Sequence, residues 1–158
     1  MTRTLLLRSA LVVLLAFLAA APSALARTDD SARLQMIWPA NGTVTSYFGE
    51  WRGNRRHEGI DIGMLSSLRV RAAMAGVVRT VGYAESYEGY GNIVVVDLPG
   101  PFTAIYAHLA QARVHVGEHL RKGQRIGVAG CTGSCSGTHL HFEVRRNGDP
   151  INPLPFLG

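Results

Sequence analysis

After residue 36 no stretch of this chain keeps a 3.6-residue apolar period, while glycine-marked turns cut it into short alternating runs. That pairing constrains the fold more than any other feature. A run of roughly four to eight alternating residues between turn signals reads as a strand, and 18 glycines among 158 residues supply the turns. Strands are expected over Val44–Phe48, over "HEGIDIGM" (57–64), on both sides of Ala75–Gly76, over "NIVVVDL" and "FTAIYAHL" joined by "PGP", and over "HLHFEVRR". "QARVHVGEHLRKG" has the length of a short helix, but its glycine and β-branched content argues against one. The fold class is all-β, or nearly so.

Residues 1–26 read differently. Arg3 and Arg8 precede the apolar run "ALVVLLAFLAAA", and "ALA" at 24–26 offers a small-x-small cleavage site. That is the layout of a signal peptide, so the mature chain is expected to start at Arg27. Residues 27–35 form a short, polar, flexible lead-in, and 36–158 form one domain. The mature length of about 130 residues suffices for a real core. No second long apolar run follows, so no stable membrane association is expected once the leader is cleaved. The compartment is the periplasm, the cell wall or the exterior. Formal net charge is +5, and setting aside Arg3 and Arg8 leaves +3. No dense basic patch with interleaved aromatics appears, which together with export excludes nucleic acid as a partner.

Cys131 and Cys135 lie in "GCTGSCSG". An exported chain favours a disulfide between them, and the spacing allows one if the Cα atoms come within about 7 Å. Two metal thiolates are the alternative.

The chemistry-bearing residues fall in three places. In "HEGIDIGM", Ile60 and Ile62 face one way, and His57, Gly59, Asp61 and Gly63 face the other. Gly59 leaves room for an ion close to the backbone. In "HLHFEV", Leu140, Phe142 and Val144 share a core face, while His139, His141 and Glu143 share the other. His108 ends "AIYAHL". Imidazole and carboxylate are the ligands of a catalytic zinc site, which takes three from the protein and leaves a position for water. Either short motif alone is most often a surface pair or a solvated face; together in one small domain they point to a site. Glu143 reads equally as a group orienting a ligand and as a solvated rim charge. His115 and His119, among charged turn residues, read as surface histidines.

"HEGIDIG", "YAHL" and "GTHLHFEVRRNGDPINP" resemble the lysostaphin-type zinc metallopeptidases, which cleave peptide cross-links in bacterial peptidoglycan. "TSYFG", "GYGNIVVVD" and "VGEHLRKGQRIGVAG" fit the same family, so the resemblance spans roughly residues 36–155. It implies two antiparallel sheets bounding a groove, one zinc ion per chain held by His57, Asp61 and His141, and His108 and His139 flanking the water and the scissile carbonyl. Which of those two is the base stays open. It implies an endopeptidase acting on stem peptides; a monomer is expected, and D-alanyl–diaminopimelate links are favoured over glycine bridges because no wall-binding repeat is legible. A non-catalytic relative that binds the wall or activates a separate hydrolase is the alternative, but such relatives usually lack ligands. Three features depart from the family pattern. The segment between Gly49 and His57 is short, which predicts a low groove wall. "MLSSLRVRA" lacks the usual glycine and proline. The cysteines replace small polar residues before the His139–His141 pair, where a disulfide would stiffen the groove.

Overall fold

The computed structural model describes residues 34–158; the expected signal peptide and residues 27–33 of the lead-in lie outside the described residues. Leu34, assigned by sequence to the polar lead-in, is instead fully buried and joins Met36 in the main core. The main chain here is tied down from the other terminus: Met36 N–H donates to Phe156 O at 2.8 Å, and Gly158 N–H to Met36 O at 3.0 Å.

Among the described residues, eleven strands pair antiparallel throughout and form two sheets. The large sheet holds β1 (Asn41–Ser46), β2 (Ile60–Ser67), β4 (Gly76–Gly82), β5 (Ile93–Asp97), β6 (Phe102–Ala107), β8 (His119–Leu120), β10 (Leu140–Arg146) and β11 (Asp149–Ile151). Its order is β1-β2-β10-β6-β5-β4-β8, with β11 on β10. The small sheet is β3 (Arg69–Arg71), β9 (Arg125–Ala129) and β7 (Leu109–Ala112). The only helical residues among those described are two 3-10 turns, Glu85–Tyr87 and Leu154–Phe156. The strand expected from His57 begins only at Ile60. His57 spends its backbone groups on the preceding loop instead, with Gly49 N–H donating to His57 O and His57 N–H to Glu50 O, both at 2.8 Å.

The core lies between the sheets. Ile60, Ile62, Leu140, Phe142 and Val144 are fully buried there, as the alternation predicts, and share one cluster with Val70, Leu109 and Ile126 of or beside the small sheet. Burying one such side chain contributes about 1.5–3 kcal/mol. The other face of the large sheet carries a smaller cluster: Ile93, Val95, Ile105 and Ala107 with Tyr90. Register places His141 opposite Ala107 and Glu143 opposite Ile105. The polar face of β10 therefore continues an apolar floor, and that floor is covered.

Gly59 has a different reason from the one its sequence context suggests. A Cβ there would fall 2.4 Å from Phe142 O and 2.8 Å from Glu143 Cγ. The residue lets β10 approach closely; it does not clear space for an ion. Gly59→Ala is expected to lower stability by about 1–3 kcal/mol, the range for overpacking against groups that cannot retreat. A urea-unfolding midpoint equal to wild type would contradict this packing.

Candidate metal centre

β2 and β10 are neighbours, and their register sets Asp61 directly opposite His141. Opposed residues on one face bring their Cβ atoms to roughly 5 Å, so carboxylate and imidazole meet without strain. His57 joins them from the loop before β2. All three are buried. The Nδ1 of His57 lies 2.9 Å from Tyr47 O. A carbonyl only accepts, so Nδ1 carries the hydrogen and Nε2 turns its lone pair inward. The opposite choice is made at His141. Its Nε2 lies 2.9 Å from Glu143 Oε1, so that nitrogen donates and Nδ1 faces inward. His141 Nδ1 is then 2.8 Å from Asp61 Oδ1 and 3.0 Å from His57 Nε2, and His57 Nε2 is 3.2 Å from Asp61 Oδ1.

Three electron-rich atoms thus point at one another in a buried place, an arrangement that calls for a cation. These three residues could hold a metal ion. Donor atoms around a tetrahedral zinc stand about 3.4 Å apart, close to the separations here, and two imidazoles with a carboxylate make a nitrogen–oxygen set that suits zinc. Without a metal, a proton on His141 relieves the crowding. Burial opposes that charge, but the hydrogen bonds to Asp61 and Glu143 outweigh it and raise the His141 pKa above its ordinary value. Burial likewise opposes the Asp61 carboxylate, and hydrogen bonds from the protonated His141 and from Arg52 overcome it and hold its pKa well below the usual range. Arg52 bonds to Oδ2 of Asp61, which leaves Oδ1 to the cluster.

Glu143 is not a solvated rim charge. It is fully buried, and it takes hydrogen bonds from Tyr90 Oη, from His141 Nε2, and from Arg145 Nε at 2.8 Å. Burial works against its charge, yet His141, Tyr90 and Arg145 together lower its pKa. Arg145 also reaches Glu58 at 2.7 Å. Alternation places Glu143 on the face of the histidines; only the fold reveals the lid of Tyr90, Arg145 and Glu58 above it. Tyr47 and Tyr90 lie in stretches that fit the family, but nothing in the sequence assigns a role to them or to Arg52.

His108 and His139 come to the same place. Their ring centres are 4.7 Å apart, and His108 lies 5.9 Å from the His141 ring. His139 precedes β10, with Nδ1 held 2.7 Å from Gly137 O and Nε2 3.7 Å from Asp61 Oδ1. His108 sits between β6 and β7 at φ 58°, a left-handed backbone that costs a non-glycine residue about 1–2 kcal/mol. Its Nδ1 lies 2.8 Å from Thr132 O. Burial pushes its pKa down to about 4, against a smaller upward pull from that carbonyl. As neutral rings, both histidines keep hydrogen on Nδ1 and present Nε2 as an acceptor. Cys131 and Cys135 form a disulfide and are not among the clustered donors. His115 and His119 are exposed on and beside β8, the far edge of the large sheet.

Above the cluster lies a cavity of about 30 Å³ lined by His57, His108, His141, Tyr90, Arg52 and Arg55 among others, room for about one or two waters. It shares Arg52 with a hollow of about 410 Å³ beside His139 and Met64. It shares Gly89 with a cleft of about 440 Å³ beside Tyr83 and Tyr87. The cluster therefore lies between two larger hollows, each sharing a lining residue with the cavity above it.

Residues 55–153 match the model of peptidase family M23. This chain belongs to that family. It is similar to the murein hydrolase activator EnvC of Escherichia coli, with 35% identity over 127 residues that make up 80% of this chain and 30% of EnvC. Among solved structures it is similar to a zinc-containing peptidase from Vibrio cholerae, at TM-score 0.64 and 27% identity over 78% of this chain and 39% of that one. It is also similar to lysostaphin from Staphylococcus simulans, at TM-score 0.66 and 26% identity over 78% of this chain and 52% of lysostaphin. The chain spans under a third of the length of EnvC and of the murein hydrolase activator NlpD of Salmonella dublin, to which it is also similar. The M23 assignment agrees with the family read from the three motifs and with the two antiparallel sheets.

Metal uptake by the clustered donors of this M23 domain should depend on pH. The raised His141 pKa means the metal-free site holds a proton that a metal must displace. Apparent zinc affinity should therefore rise about tenfold per pH unit below that pKa and flatten above it. Glu143→Gln should weaken affinity by about 10- to 100-fold and bring the flattening to lower pH, because it removes one of the charges holding the proton. Competition titrations with a chelating dye across pH 5.5–8 test both; a flat affinity, or an unchanged Glu143→Gln variant, would contradict the geometry.

Proposed function

We propose that this chain is an exported, zinc-dependent endopeptidase that hydrolyses peptide cross-links of peptidoglycan. The observation that carries this reading is the completeness of the site. His57, Asp61 and His141 converge with their lone pairs aimed inward, and His108 and His139 flank the same point with acceptor nitrogens. A structural zinc site usually closes its fourth position with another Cys or His ligand; here the position above the donors opens into a groove. In this reading His57, Asp61 and His141 are the ligands of one zinc ion.

When bound, zinc would supply Lewis acidity, polarising a carbonyl and acidifying a water. The protein's own residues do the rest. His108, kept neutral by burial, can take a proton at Nε2 from an attacking water. His139, with its ring fixed by Gly137 O, can carry a proton at Nε2 to the departing amine or donate to the developing oxyanion. The favoured bond is the D-alanyl–diaminopimelate link, and the site of action is the periplasm or wall.

The 35% identity to EnvC favours a second reading, in which the domain activates a separate wall hydrolase. Purified sacculi separate the two. An endopeptidase releases peptides with new termini on its own, stops with a chelator and restarts with zinc. An activator releases nothing alone and speeds an added hydrolase.

The two histidines of "HLH" should fail differently. His141→Ala is expected to lose stoichiometric zinc and activity together. His139→Ala should retain zinc and lose about 10²- to 10⁴-fold in turnover, the range for a missing general acid–base. Metal analysis giving the reverse pattern would overturn the assignment within the pair.

A further inference from the structure

The loop that carries the disulfide meets the site at Ser134, which lines the cavity, at Cys135, whose Sγ lies 3.7 Å from His139 Nδ1, and at Thr132, which holds His108. Thr132 lies inside the ring closed by Cys131 and Cys135. Its carbonyl accepts from His108 Nδ1 at 2.8 Å. Its hydroxyl donates to Leu109 O at 3.0 Å and accepts from Asn92 N–H at 2.9 Å. One residue therefore grips the His108 ring and the backbone beside it. The remaining backbone bonds point the same way: His108 N–H donates to Tyr90 O at 2.9 Å and Leu109 N–H to Asn92 O at 3.0 Å. A non-glycine residue at positive φ persists only where its surroundings over-determine it, and such residues cluster at functional sites.

The ring that contains Thr132 is itself anchored on its far side. The ring rests on the 89–91 loop, with Ser134 N–H donating to Gly89 O at 2.7 Å. Gly133 and Gly91 pack so closely that a Cβ on Gly133 would fall 2.4 Å from Gly91 N. Thr132 is not among the residues lining the cavity above the donors, whereas His108 and Ser134 are. It is placed to act through His108 and not on a substrate.

We propose that Thr132, held in place by the Cys131–Cys135 bridge, is the positioning residue for His108. Its carbonyl pins the hydrogen of the ring on Nδ1 and so keeps Nε2 toward the groove as an acceptor. The inference rests on the reading of His108 as a group that acts on the substrate, but the state of the ring can be measured without turnover.

The test compares Thr132→Val, Thr132→Ser and reduced wild type, all as the zinc-loaded full domain. Long-range ¹H–¹⁵N spectra report which nitrogen of His108 is protonated. Wild type and Thr132→Ser are expected to show Nδ1–H and an unprotonated Nε2. Thr132→Val, which keeps the side-chain shape and loses both hydroxyl bonds, should show a mixture of tautomers. On peptidoglycan fragments it should lose about 10-fold or more in kcat with little change in KM, as outer-shell partners do, and Thr132→Ser should recover most of this. Dithiothreitol supplies two electrons and two protons to the bridge and becomes a cyclic disulfide itself. Reduction should move the His108 signals the same way while zinc stays stoichiometric, and it reports on the intact sequence if Thr132→Val does not fold. Wild-type tautomer signals in Thr132→Val, unchanged signals after verified reduction, or zinc lost in step with activity would overturn the proposal. Wild type inert on every fragment would count against the peptidase reading alone, because the spectra still decide the positioning.

Discussion

The opposition of Asp61 and His141 across β2 and β10 is the constraint on which the rest of the site depends. A strand register shifted by one residue turns every side chain to the other face. Such a shift would carry Asp61 and His141 into the core and bring Ile62 and Phe142 out. The apolar partners on the reverse face, Ile60, Ile62, Leu140, Phe142 and Val144, therefore lock the polar pair in place as firmly as they build the core. Gly59 serves the same contact, since only a residue without a side chain lets the two strands approach there.

A second layer turns proximity into chemistry. Two imidazoles meet by opposite nitrogens, Nε2 from His57 and Nδ1 from His141. The choice is made by what each ring touches on its other side, a backbone carbonyl for one and a buried carboxylate for the other. Glu143 is a fully buried charge, which is tolerated only when paired and hydrogen-bonded. Arg145, Tyr90 and His141 supply that pairing. Because Arg145 also reaches Glu58, the network extends from the donors to the surface of the groove. Two carboxylates, one on each side of His141, make the same ring a good proton holder without metal and a well-oriented lone pair with it.

Much of this was legible in the sequence, and the reason is period two. Alternation in "HEGIDIGM" and "HLHFEV" assigned the core and polar faces of both strands, and glycine punctuation gave an all-β chain. What alternation does not report is whether a polar face is covered. Glu143 reads equally as an orienting group and as a rim charge until Tyr90, 53 residues earlier in the chain, is seen to lie over it. Leu34 reads as part of a polar tail because its burial depends on the opposite terminus. Gly59 reads as space for an ion because a close strand-to-strand approach leaves no local mark. Thr132 has no motif at all; its part depends on a carbonyl and a hydroxyl meeting elements that only the fold brings near.

The proposed chemistry requires that one metal ion sit on His57, Asp61 and His141 while His108 and His139 stay free to handle protons. Crystals grown with zinc, measured on both sides of the zinc absorption edge, test it most directly. The expected result is one anomalous peak bonded to His57 Nε2, Asp61 Oδ1 and His141 Nδ1, with Glu143 still on His141 Nε2 and neither His108 nor His139 among the protein ligands. A peak ligated by His139 or His108 in place of His141, or full zinc loading with no peak at these three atoms, would contradict it.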